Sequence, residues 1–171
     1  MPAIARLAGV APPLIHYHFD SKENLWREAV EHSLGQLRSE TAAVLRATRS
    51  IPAMDRLRSL LQVHAEFAAQ FPDHFSMIVA EARADSARFA WLHEQFTGHL
   101  FDELLSLLVD ARDAGAIRDV ALRELAVVLI GGVLVHFTIY PRKDAAGIAD
   151  AAPSFVDTLF DFLRGVIVPQ A

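Results

Sequence analysis

The sequence predicts an all-α protein in two parts, a short N-terminal helix-turn-helix head and a larger helical body. Three observations predict it. Apolar residues recur every three or four positions along most of the 171 residues, the spacing that gathers them on one side of an α-helix. Glycine and proline stand where these runs stop and start, at Gly9, Pro12, Pro52, Pro72, Gly115, Pro141 and Pro153. No stretch shows the strand-like alternation of apolar and polar residues, and no internal repeat or low-complexity tract interrupts the helical pattern.

Residues 4–25, I-A-R-L-A-G-V-A-P-P-L-I-H-Y-H-F-D-S-K-E-N-L, read as two short helices hinged at a glycine. Ile4, Ala5 and Ala8 share a helical face, and Gly9 can take φ > 0 and end the helix without a Cβ penalty. Val10 suits the buried corner of the turn. Pro12 and Pro13 suit the first turn of a second helix, residues 12–19, where a missing N–H costs nothing. Leu14, His16, Tyr17 and His18 leave that helix free of acidic residues, with Phe19 expected in the core. Asp20-Ser21 can cap a third helix, with Glu23 placed for a capping box from Asp20. Helix, glycine turn, short polar-aromatic helix and capped helix form a helix-turn-helix pattern.

Residues 22–48 read as one long helix carrying Trp26, Val30, Leu34, Leu37, Thr41 and Val44, a rigid connector that ends before Pro52. The next helix presents Met54, Leu57, Leu60, Leu61, His64, Phe67, Ala68 and Phe71. Residues 72–83 turn Phe75, Ile78, Val79 and Ala82 inward. Asp85-Ser86 offers a cap to a long helix striped with Phe89, Leu92, Phe96, Leu100, Leu104, Leu107 and Ala111, which Gly115 terminates. Asp119 can cap residues 120–140, whose middle is apolar all round and contains Gly131 and Gly132. A loop, residues 142–152, precedes a last helix from Pro153 to residue 168. The expected parts are therefore residues 1–48 and 49–171.

That last helix has two apolar stripes, one of Phe155, Leu159, Phe162 and Val166 and one of Val156, Phe160, Leu163 and Ile167. A double stripe beside an all-apolar helix suggests a symmetric dimer, with Gly131 and Gly132 permitting close approach and Val156, Phe160, Leu163 and Ile167 meeting the second copy. The alternative is that both helices are central in one α-domain.

Composition bounds the function. With 53% hydrophobic residues the chain can build a core, and with no cysteine it excludes disulfides, thiolate nucleophiles and Cys-ligated zinc. The net charge of −5 is unevenly spread. Residues 1–27 hold three basic against two acidic side chains, and the rest hold thirteen against nineteen. A mildly basic head on an acidic body fits a nucleic-acid reader with a second, non-DNA domain, although charge alone does not point to DNA. No signal peptide is visible, and the most apolar run, residues 126–135, is shorter than the ~20 residues that span a bilayer. A soluble, cytoplasmic protein without a membrane partner is expected.

At A-G-V-A followed by H-Y-H-F-D-S-K-E-N-L, the chain resembles the second half of the DNA-binding domain of TetR/AcrR-type transcriptional regulators. The resemblance covers roughly a tenth of the chain. In that family a further helix precedes this unit, so the expectation is an incomplete head lacking its first helix. The resemblance implies a ligand-responsive DNA-binding regulator, a repressor released by a small, mainly apolar effector, acting as a homodimer on operator DNA. It places His16, Tyr17 and Lys22 at the DNA backbone, and Pro13, Leu14 and His18 beside bases or sugars. A head-deleted ligand-binding and dimerisation protein that does not read DNA is the alternative.

His16-x-His18 could be read as a metal pair, but residues two apart on a helix point about 200° from one another, so no metal is expected there. His64, Phe67, Met77, Trp91, Phe96, His99 and His136 could surround a ligand cavity between body helices, or be ordinary core. An all-α enzyme using these histidines is a third reading. It lacks a G-x-S-x-G turn or H-E-x-x-H spacing, so neither catalysis nor a cofactor is expected.

Overall fold

The computed structural model describes residues 1–84, 86–139 and 152–169, and every described element is helical. The chain divides into two compact units, Met1–Ser39 and Glu40–Ala171.

The first unit opens with α1, Pro2–Ala8, which ends as the sequence requires: Gly9 has φ 68° and ψ 26°. Val10 N–H donates to Ala5 O at 3.0 Å and Gly9 N–H to Arg6 O at 3.3 Å, the paired closure of a Schellman turn. Val10 itself is exposed rather than buried in the corner, because its backbone N–H closes the turn while its side chain stays outside. The second helix, α2 (Pro12–Phe19), starts on its proline pair and packs on α1, burying Ala5 and Ile15. Phe19 is half-buried.

The cap of α3, Lys22–Ala47, falls one residue later than the pattern predicts. Asp20 takes φ 63°, a left-handed conformation unlike the extended one of an N-cap, and closes α2 by donating its N–H to His16 O. Ser21 Oγ then accepts from Asn24 N–H at 3.0 Å. Glu23 pairs with Arg27 at 3.3 Å instead of completing a box with Asp20. As expected, α3 is one continuous helix, with Val30, Leu34 and Leu37 buried.

The body is built around α4, Ala53–Gln70. Leu57, Leu60, Leu61, His64, Ala65, Phe67 and Ala68 are buried, a stripe wide enough to meet several helices at once. Truncating any one of these leucines to alanine is expected to cost about 2–5 kcal/mol. The next helix, α5 (Pro72–Arg83), starts on Pro72 and buries Phe75 and Ile78. Ser86 caps α6, Ala87–Leu92, by accepting from Phe89 N–H at 3.1 Å.

One long helix was expected to follow Ser86, but the chain inserts a π-helical turn, His93–Thr97, between α6 and α7 (Gly98–Asp113). The Gly98 N–H bonds five residues back to His93 O. A Cβ on Gly98 would lie 2.8 Å from that oxygen, so glycine permits the wide turn. The end of α7 repeats the device of α1: Gly115 has φ 71°, and Ala116 N–H reaches Ala111 O at 2.8 Å. The next helix, α8 (Leu122–Leu134), starts after Ala121 without a side-chain cap, so Asp119 does not serve as the N-cap. A second π-helical turn, Val135–Ile139, follows it. The expected helix end at Tyr140, the loop of residues 142–152 and Asp85 as cap lie outside the described residues, apart from Ala152, which opens α9.

The last helix, α9 (Ala152–Ile167), packs on α4. Val156, Phe160, Leu163 and Ile167 are buried within the protomer, at most 4% exposed. This corrects the expectation that they face a second copy: the Arg58 guanidinium of α4 sits 5.5 Å over the Phe160 ring and pairs with Asp157, and Ile167 O accepts from Arg118 N–H at 2.8 Å. Of the other stripe, Phe155 and Leu159 are half-buried and Phe162 and Val166 exposed, and Val127 and Val128 are exposed on α8. Among the described residues no helix is long and apolar enough to cross a membrane.

Candidate DNA-contact face and body cavity

In the head, α2 turns Ile15 inward and leaves Pro13, Leu14, His16, Tyr17 and His18 exposed. Tyr17 is 84% exposed, an unusual position for a phenol ring. The His18 ring meets it edge-on at 5.3 Å. Lys22 is exposed in the first turn of α3. The phenol O–H, imidazole N–H and ammonium are donors suited to phosphate oxygens, and Leu14 offers the apolar surface that touches thymine methyl groups. The Gly9 turn sets the angle between α1 and the helix carrying this group. Among the described residues no three His, Asp or Glu side chains stand close enough to hold a metal ion.

In the body, α4, α5, α7 and α8 form a small, partly open cavity of about 20 Å³ lined by Leu61, His64, Phe75, Leu100, Leu104, Ile130, Val133 and Leu134. That is room for about one water molecule, far below the ~300–1,000 Å³ of a drug-sized site.

The candidate ligand residues do not gather in one place. His64 lines the cavity. Phe67 is not in the lining but packs behind it, edge-on at 6.1 Å to the lining residue Phe75 and in a cluster with Phe71 at 4.9 Å and His74 stacked at 5.7 Å. Trp91 and Phe96 pair edge-on at 5.7 Å across the π turn, and Met77 is half-buried on α5. His136 stacks on Phe155 at 4.2 Å and meets Phe137 edge-on. His99 is exposed, because α7 leaves the π turn with Leu100 and Leu104 inward. The aliphatic lining residues carry no chemical signal in the sequence that separates them from the rest of the core.

The His64 ring is the polar feature of this wall. Its Nδ1 lies 2.9 Å from Leu60 O, one helical turn back. A carbonyl oxygen only accepts, so Nδ1 carries the hydrogen. Burial holds the imidazole pKa below its ordinary value, against the opposing effect of that hydrogen bond.

A glycine-turned pair of short helices with an exposed Tyr-His face, in a chain whose described elements are all helical, has the architecture of a helix-turn-helix protein. Residues 1–29 match the sequence profile of bacterial regulatory proteins of the tetR family. The HTH-type transcriptional regulator BetI of Rhizobium meliloti (strain 1021) is 30% identical over 160 residues, covering 94% of this chain and 65% of that relative. The chain thus spans about two thirds of that relative's length. The fold is shared with a Clostridium perfringens protein named as a fatty acid metabolism regulator (TM-score 0.79, 18% identity, 97% of this chain and 88% of the other). It is shared also with the ketosteroid transcriptional regulator KstR2 of Mycobacterium tuberculosis (TM-score 0.74, 18% identity, 98% and 83%). The chain thus resembles the TetR family of regulators, by profile over residues 1–29 and by sequence over most of its length.

Proposed function

We propose that this regulator is a ligand-responsive repressor that binds operator DNA as a homodimer and is released by a small, mainly apolar effector. The observation that carries the DNA reading is the exposed group Leu14, His16, Tyr17 and His18 on α2 with Lys22 beside it, a donor-rich face without an acidic side chain on α2. Tyr17, His16 and Lys22 contact phosphates in this reading, and Pro13, Leu14 and His18 border bases and sugars. The effector enters the body at the cavity beside His64. Two regulators of the same fold are named for fatty acid metabolism and for ketosteroids, both apolar carbon skeletons, which supports an apolar effector here.

The second copy covers the outward apolar surface of α8 and α9, Val127, Val128, Phe162 and Val166. Those helices adjoin, since the Phe155 ring lies 3.8 Å from the Cβ position of Gly132. Ligand occupancy is communicated along α3, which runs from the first unit into the second, and it acts by differential affinity for two arrangements of the dimer. The test is a gel shift with DNA from upstream of the chain's own reading frame, at low salt, with and without Tyr17→Phe and Lys22→Ala. Binding indifferent to both substitutions overturns the reading.

A further inference from the structure

The π turn at His93–Thr97 sets which face of α7 meets the cavity. In an uninterrupted α-helix, at 3.6 residues per turn, Leu100 would stand about 80° round the axis from Leu92, and Leu104 about 120°. The wide turn absorbs one residue and brings both to within about 20° of the direction of the buried Leu92, where they line the cavity. None of the turn's own five side chains is buried, so core packing does not fix where along the helix it sits.

Moved one turn towards the C-terminus, the same wide turn would leave residues 98–100 in the register of α6. His99, now exposed and seven residues after Leu92, would take the inward direction, and Leu100 would rotate off the wall by about 100°. The buried Leu92 and Leu107, on either side, keep their places in both registers. Gly98 selects between them. In the present register its N–H bonds His93 O, from which a Cβ would stand only 2.8 Å away. In the other it would bond Glu94 O, as in any α-helix, and a Cβ would be tolerated. We propose that this π turn is a register switch that regulates the cavity by exchanging Leu100 for His99 in its wall. This rests on the reading of the cavity as the effector site. The second register adds an imidazole to the wall, so an effector with a hydrogen-bonding group stabilises it by differential affinity.

The chain has no cysteine, so His99→Cys and Leu100→Cys each place a single thiol on the helix. With iodoacetamide the thiol of His99→Cys, at an exposed position, should label faster than that of Leu100→Cys, at a half-buried one. Adding Gly98→Ala to each should lower that ratio of rates at least about tenfold, through the shift in population. An unchanged ratio in the folded variants overturns the proposal. 1-Hexanol, an apolar chain with one hydroxyl, extends the test to the cavity. By moving the turn it should speed labelling of Leu100→Cys, which retains His99, whereas a molecule that only fills the cavity shields that thiol. Slower labelling with 1-hexanol bound therefore overturns the switch and leaves the cavity a ligand site. No calorimetric binding of 1-hexanol to the folded chain overturns the cavity reading as well. Should Gly98→Ala fail to fold, hydrogen exchange on the unaltered chain decides. The amides of residues 98–102 change partners when the turn moves and should exchange at least about tenfold faster than those of residues 107–111. Equal protection of the two segments overturns the proposal.

Discussion

His64 gives the body a pH dependence whose sign burial dictates. In the unfolded chain its imidazole takes up a proton near pH 6.5, whereas in the fold desolvation keeps it neutral to lower pH. Its contribution is therefore fully present above about pH 6.5 and is lost as pH falls from there through the folded pKa, with a slope of at most about 1.4 kcal/mol per pH unit. Urea unfolding from pH 7.5 to 5 should show the decline, and His64→Leu should show less of it. Three glycines separate three causes at the same scale. Gly98→Ala would press a Cβ against His93 O at 2.8 Å and should cost about 1–3 kcal/mol. Gly115→Ala meets no neighbour but must hold φ 71°, which should cost about 1–2 kcal/mol. Gly35, inside α3 with nothing within 4 Å of its Cβ position, should become more stable by about 0.5–1 kcal/mol as alanine. Thermal unfolding of the three variants checks the order.

Among the elements, α9 shows how one helix can carry two apolar faces with different fates. Leu163→Glu would bury a carboxylate in the protomer, since Leu163 is 3% exposed, and should unfold the body or lower its stability by several kcal/mol. Phe162→Glu changes a residue 66% exposed, so the fold should remain while the proposed dimer weakens. Sedimentation at micromolar concentration distinguishes them: a folded Phe162→Glu variant with the parent's dimer content would remove α9 from the interface. The stripes were legible as two apolar faces, but periodicity is silent about which one meets α4. The face that meets α4 is the one whose Phe160 lies under Arg58, with Asp157 paired to the same guanidinium, a long-range arrangement no local pattern contains.

For the whole molecule, DNA affinity and sequence preference should respond to different side chains of the head. Lys22→Ala should weaken binding to all sequences alike and lower the magnitude of the salt slope by about 1, whereas Leu14→Ala should change the preferred sequence. Two heads on one dimer should require half-sites about 34–36 Å apart or a multiple of that spacing. Filter binding across a salt series, on operators of varied spacing, reads both effects.

The all-α class, the Gly9 and Gly115 terminations, the proline starts of α2 and α5 and the exposed polar-aromatic face of α2 were determined by the sequence itself. Each rests on a local constraint: a 3.6-residue apolar period, a left-handed φ that glycine tolerates, or a proline without an N–H. Tertiary structure decided what local rules leave degenerate. It moved the α3 cap from Asp20 to Ser21, inserted the π turn at His93–Thr97, turned His99 out and placed Phe67 in an aromatic cluster behind the cavity lining. It also turned Val156, Phe160, Leu163 and Ile167 inward and left a cavity of about 20 Å³ beside His64. These outcomes depend on which apolar surfaces find one another, and the hydrophobic effect that drives them is proportional to area and indifferent to direction.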